Sequence, residues 1–169
     1  MIIYVDGSCL ANGQAHNEGG FGVAVFDNDG ETLLTAYSAR EKNTTNNRME
    51  IKAILYALKN YGKKIEDDDF IKDIPIVYSD SNYCVQTFTN WMFGWQRRGW
   101  IKSDKKVPEN LDLIKQYFDL YKEGYRIDLR KVKGHAGEIG NELADQLATN
   151  YISPEEAMRT YGWKEKINE

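Results

Sequence analysis

The sequence predicts one α/β domain: a mixed β-sheet with helices on its faces. Three observations carry that expectation. Strand-like apolar runs and segments of helical period follow one another in the order βββαβααβα. Two of the runs, "IIYVD" and "IPIVYSD", are short, apolar as buried strands are, and end on aspartate. The chain has 169 residues, 41% of them hydrophobic and 28% charged, which suits one core of ordinary size in a soluble globular protein.

Each element has a local reason. "IIYVD" opens the sheet, and "GGFGVAVFDNDGETLLTAYSARE" reads as a hairpin about Asn28-Asp29-Gly30, a turn signal between apolar runs. "TNNRMEIKAILYAL" starts a helix that ends near Gly62. Its residues Ile51, Ala53, Ile54, Leu55, Ala57 and Leu58 form one apolar arc at about 100° per residue. "KKIEDDDFIKD" reads as a solvated connection to "IPIVYSD". "SNYCVQTFTNWM" has helical spacing through Val85, Phe88 and Met92, and "PENLDLIKQYFDLYKEG" makes a further helix closed by Gly124. "YRIDLRKVKG" is the last strand. "NELADQLATNY" is a helix expected to bury Leu143, Ala144, Leu147 and Tyr151, with Asp145 near the edge of its polar side. The tail from 151 to 169 begins Ser153-Pro154-Glu155-Glu156, the pattern of a helix with proline at its first position.

Composition narrows the setting. No apolar run approaches the roughly 18 residues of a membrane span, and "MIIYVDGS" lacks the features of a signal peptide. Cys9 and Cys84 give neither a disulfide framework nor a CxxC metal spacing, so a reducing, cytoplasmic setting is expected. The net charge of -4 argues mildly against nucleic acid, but its distribution argues for it: "WQRRGWIKSDKK" holds Arg97, Arg98, Lys102, Lys105 and Lys106 against Asp104 alone.

Glu50 is the anomaly. It lies inside the apolar arc of its helix, where a carboxylate is out of place. Asn47 as N-cap with Glu50 folded back as a capping-box acid is one explanation. The other is that Glu50 faces something cationic at the rim of the core. Asp6 and Asp80 end strands, where α/β sheets gather their sites, though each also suits a turn or cap. Carboxylates that converge without matching lysines repel one another, and divalent cations remove that penalty. Two such ions, magnesium or manganese, make a clamp for in-line attack on a phosphodiester.

Five ordered blocks, "DGSCLAN", "TNNRMEI", "YSDSNYC", "WQRRGWIKSDKKVPEN" and "VKGHAGEIGNELADQLA", resemble type 1 ribonuclease H over about residues 1–150. The resemblance implies a five-stranded mixed sheet flanked by helices, with residues 151–169 a helical extension. It implies endonucleolytic cleavage of the RNA strand of RNA/DNA hybrids by metal-activated water, leaving 3′-hydroxyl and 5′-phosphate ends. Asp6, Glu50, Asp80 and Asp145 match the family's ligands for two Mg2+ ions, with Mn2+ an alternative; Asp6 would bridge both. His135 matches a histidine that assists proton transfer or product release. Asn12, Asn46 and Asn47 match readers of the minor groove and the ribose 2′-hydroxyl, to which Glu50 would add a contact. Tyr83 and Trp95 match aromatics of a DNA-strand channel, and Thr45 and Asn110 a DNA-phosphate pocket. Arg97, Arg98, Lys102, Lys105 and Lys106 match a basic protrusion that tracks the backbone. Trp91 and Trp100 read first as packing. A monomer without a membrane partner is expected.

Departures from the pattern are also legible. "ANGQAHNEGG" replaces a shorter glycine-proline turn, and its His16 and Glu18 read as loop decoration. Asn43 stands where many relatives place a pocket arginine. Two rivals remain: a catalytically weak hybrid-binding module, and another metal-dependent phosphodiesterase on the same fold.

Overall fold

The computed structural model describes residues 1–10, 17–66, 73–132 and 139–163. Three antiparallel strands come first, β1 (Ile2–Leu10), β2 (Glu18–Phe26) and β3 (Leu33–Lys42), followed by α1 (Asn46–Tyr61). After a two-residue strand β4 (Lys63–Lys64) come β5 (Ile76–Ser79) and α2 (Asn82–Gln86). A π-helical turn (Thr87–Trp91) joins α2 to α3 (Met92–Arg97). The remaining elements are α4 (Leu111–Lys122), β6 (Tyr125–Arg126), β7 (Asp128–Lys131), α5 (Ile139–Ala148) and α6 (Pro154–Tyr161). The main sheet has the order β3-β2-β1-β5-β7, with β1 antiparallel to β2 and parallel to β5, and β5 parallel to β7.

The expected βββαβααβα order and mixed five-stranded sheet are present, with local differences. "YRIDLRKVKG" divides: Tyr125 and Arg126 leave the main sheet to pair with Lys64 and Lys63, so the start of the expected solvated connection is held in a small second sheet. The C-terminal helix stops at Ala148, Asn150 takes a left-handed φ of 63°, and Tyr151 is 79% exposed instead of buried. A helical wheel run past a helix end places residues on faces that no longer exist.

Both faces of the sheet are covered. Along β1, Ile3 and Val5 enter the core beneath α1, α2 and α4, while Tyr4 enters the core beneath α5 and α6. By the same alternation Asp6 belongs to the α5 face and Gly7 to the α1 face. Glycine is required at both sides of this point. A Cβ on Gly7 would lie 2.2 Å from the Glu50 backbone nitrogen, so its absence lets α1 press onto β1. Gly22 pairs with Asp6 across the β1–β2 ladder, and a Cβ there would lie 2.5 Å from the Ala144 carbonyl of α5.

The tail helix α6 forms as its sequence signals. Ser153 caps it, accepting from the Glu156 N–H at 3.1 Å, with Pro154 at its first turn. It packs on the body: Ala157 is fully buried against the core that holds Leu33, and Gly162 forms a parallel bridge with Leu33.

Gly7→Ala should destabilise the protein by about 1–3 kcal/mol, the usual range for overpacking a tight contact. The urea midpoint should fall with the slope unchanged; an unaltered midpoint would show that α1 does not depend on this approach.

Candidate active site

Glu50 is not a capping-box acid. The N-cap of α1 is Thr45, whose side chain accepts from the Arg48 N–H at 3.1 Å; Asn47 lies inside the helix. The cap stands two residues earlier than Asn47, which moves Glu50 beyond the first turn. Its carboxylate is 4% exposed and reaches across to the sheet. The Gly7 N–H donates to Oε2 at 2.5 Å, and the buried Ser79 hydroxyl donates to Oε1 at 2.7 Å. One helix residue is thereby tied to β1 and to β5.

Those two strands also carry Asp6 and Asp80. Carboxylate oxygens of Asp6, Glu50 and Asp80 lie within 4.8 Å of one another. Asp145 of α5 approaches them from the other face: its proximity helps raise the Asp6 carboxyl, and its charge bears on Asp80. Burial pushes the Asp6 carboxyl up to about 10, helped by the charges of Glu50 and Asp80. Burial likewise pushes Glu50 up to about 7, against the lowering effect of Ser79, Asp6 and Gly7. At the exposed rim, enclosure by protein and the charge of Asp145 raise Asp80, while Lys131 lowers it.

The donor set fits a hard divalent cation. The cluster offers carboxylate oxygens, two of its acids are buried, and protons hold the charge down in the absence of a counterion. The nearby Cys84 supplies no thiolate, since burial pushes its thiol up to about 12.

The residues expected to meet a nucleic acid surround this cluster unevenly. Asn46 and Asn47 are exposed one turn before Glu50 on α1. Asn110 takes a left-handed φ of 59° and its Nδ2 donates to the Tyr83 hydroxyl at 3.4 Å. Arg48 clasps Asp112 with both terminal nitrogens, at 3.0 and 2.8 Å, and its Nη1 also reaches Asn110 Oδ1 at 3.5 Å. Arg48 therefore links Thr45, through its backbone N–H, to Asn110, through its guanidinium, and Asn110 in turn bonds to Tyr83. A groove of about 450 Å³ runs between Trp91, Trp95, Arg97, Arg98 and Lys102. Trp95 lines this groove at only 9% exposure, whereas Trp91, read from sequence as packing, is 41% exposed beside it. Trp100 does pack, edge-on against Phe118. Lys105 and Lys106 are exposed farther along the turn. Asn12, His16 and His135 lie outside the described residues. A larger cavity, about 610 Å³ between α1 and α4, includes none of the clustered acids.

A buried carboxylate cluster at the centre of a mixed sheet, beside a groove of tryptophan and arginine, defines a metal-dependent nuclease. Comparison with known proteins makes the class particular. The RNase H family profile matches residues 1–153. The chain is 40% identical to a ribonuclease H of Aliivibrio salmonicida (strain LFI1238), covering 86% of this chain and 83% of that one. It is 35% identical to a ribonuclease H of Phenylobacterium zucineum (strain HLK1) over 96% of both. The chain belongs to the ribonuclease H family. Among solved structures, LC9-RNase H1 superposes with a TM-score of 0.67 at 30% identity, over 88% of this chain and 70% of that one. LC11-RNase H1, solved in complex with an RNA/DNA hybrid, superposes with a TM-score of 0.59 at 25% identity, over 93% and 98%.

The raised acids have a consequence for stability. Each binds its proton more tightly folded than unfolded, so unfolding releases protons. The metal-free protein therefore has this contribution in full below the ordinary carboxylate values of 3.8 and 4.5, and loses it as pH rises through about 7 and on toward 10. In chelator, Asp6→Asn should melt above the wild type at pH 8, by about 5 °C, or ~1–2 kcal/mol for a chain of this length. The gap should shrink toward pH 5 and should also close when Mg2+ is added to the wild type. Parallel melting curves across that range would refute the account.

Proposed function

We propose that the chain is an endoribonuclease that hydrolyses the RNA strand of RNA/DNA hybrids with Mg2+ or Mn2+, leaving 3′-hydroxyl and 5′-phosphate ends. The observation that carries this reading is the meeting of Asp6, Glu50 and Asp80 within 4.8 Å, with Asp145 close enough to act on Asp6 and Asp80. Those four carboxylates would hold two ions, Asp6 shared between them. Bound there, the ions supply a lowered pKa for the attacking water and a counter-charge for the in-line transition state.

The chain's own residues do the rest. The Gly7 N–H and Ser79 hydroxyl fix the Glu50 carboxylate so that it need not reorient when substrate arrives. Asn46 and Asn47, one turn away on the same helix, offer amides to the minor groove and the 2′-hydroxyl, the group that separates RNA from DNA. Asn12 joins them in this reading, and His135 handles the proton passed during bond cleavage or the release of product. Thr45 and Asn110 receive a phosphate of the DNA strand, and Tyr83 lines the channel of that strand beside them. Arg48 reaches Asn110 there with a guanidinium whose charge it shares with Asp112, whereas Asn43 is neutral. Trp95, with the exposed Trp91 beside it, lines the channel of the DNA strand while Arg97, Arg98, Lys102, Lys105 and Lys106 follow its backbone.

Residues 1–150 constitute the catalytic domain in this reading, with 151–169 an extension docked on it. All four acids come from one chain, so the site needs no residue from a second copy, and a monomer belongs to this reading. A cytoplasmic setting is supported by two free cysteines, and among the described residues no helix is long and apolar enough to cross a membrane.

One labelled RNA strand, paired with DNA, paired with RNA, or left single, tests this directly. With Mg2+ or Mn2+ the hybrid alone should be cut internally, and chelator should stop it. Glu50→Gln and Asp80→Asn should each lower the rate at least a hundredfold, the loss of several kcal/mol of charge stabilisation. Binding without cutting would leave a hybrid-binding module; equal cutting of every substrate would leave a less selective phosphodiesterase.

A further inference from the structure

Lys131 ends β7 directly opposite Ser79 in the parallel β5–β7 ladder. The pairing holds to its end, since the Val132 N–H donates to the Ser79 carbonyl at 2.9 Å. Paired residues of a parallel ladder share a face. Val77 and its partner Leu129 both enter the core beneath α1, so Ser79 and Lys131 point the same way two residues on. Ser79 meets Glu50 there, while Lys131, at the edge of the sheet, is exposed.

This lysine stands beside an acidic cluster without closing on it. Its charge bears on Asp80, the residue after its ladder partner. Among the described residues, however, it forms no salt bridge, whereas Lys52, Lys102 and Lys122 do. An ammonium serving to neutralise Asp80 would sit on it. One held at the rim instead remains available to a ligand that carries negative charge to the cluster. A polynucleotide backbone is such a ligand: it presents phosphates at regular spacing on either side of the bond being cut.

We propose that Lys131 is a substrate-binding residue, contacting a phosphate of the RNA strand that flanks the cut bond. The inference rests on the hybrid-cleaving reading above. It also gives Lys131 a second effect, because a fixed cation at the rim moderates the repulsion a polyanion meets on approaching clustered carboxylates.

The test pairs protein variants with altered substrates, using the full chain in Mg2+. Lys131→Gln should keep the wild-type melting temperature, lower kcat/KM on the hybrid about three- to tenfold at 0.1 M KCl, and leave kcat nearly unchanged. Loss of one phosphate contact should reduce the slope of log affinity against log salt by about 0.9. Lys131→Arg should retain both affinity and slope. Hybrids whose RNA carries a single neutral methylphosphonate, placed in turn at each position flanking the cut, should then locate the contact. At one position the wild type should lose as much as Lys131→Gln does, and the variant should lose nothing further. An unchanged salt slope, or losses that multiply independently at every position, would overturn the proposal. A wild-type chain that leaves the hybrid intact would overturn the hybrid-cleaving reading with it, which separates the two failures.

Discussion

Everything at this site depends on bringing helices from both faces of the sheet against one acid in its interior. Asp6 lies in β1, a central strand, where side chains of ordinary size would hold α1 and α5 at a normal distance. Gly7 removes that barrier on one face and Gly22 removes it on the other. α1 comes close enough for Glu50 to accept from the Gly7 backbone, and α5 close enough for Asp145 to act on the Asp6 carboxyl. The two glycines and the four acids therefore form a single device. Each glycine is there because of the carboxylate its absent side chain admits.

The electrostatics follow from that geometry. Three carboxylates drawn to within 4.8 Å of one another, two of them buried, are a liability to a folded chain in water. The protein accepts it locally and compensates through hydrogen bonds from Ser79 and Gly7 and through protons retained at neutral pH. The same features that burden the empty cluster favour a divalent cation, which exchanges for those protons. Around it, recognition is divided by surface: amides beside Glu50, a guanidinium and a carboxamide at the start of α4, and tryptophan with arginine at the end of α3.

The sequence made much of this visible, and its failures have physical causes. Glu50 stood out because a carboxylate on an apolar arc needs a partner, but the wheel could not say which; the answer depends on the approach of Gly7, a contact 43 residues away. Asp6 and Asp80 were marked by ending apolar strands, though β1 in fact runs on to Leu10, so Asp6 lies within its strand. Asp145 looked like a solvated acid and is exposed; only the packing of α5 reveals its neighbour. The capping-box reading failed by two residues because Thr45 competes successfully with Asn47 for the cap. Trp91 closes the π-helical turn and Trp95 lies in α3, so no single regular wheel compares their faces. Arg48 escaped notice because its partner Asp112 lies 64 residues away.

The docking of α6 matters for more than the tail itself. β3 is an edge of the main sheet, and an edge strand offers unpaired N–H and C=O groups to any other chain that comes alongside. Leu34 and Tyr37 on that strand are 42% and 38% exposed, which makes the invitation stickier. The segment after α6 occupies the start of this edge through the Leu33–Gly162 bridge, and α6 itself lies against β3. The matched family region ends at Ser153, just where this cover begins. The extension thus leaves less of the β3 edge open to another chain than the strand order alone would.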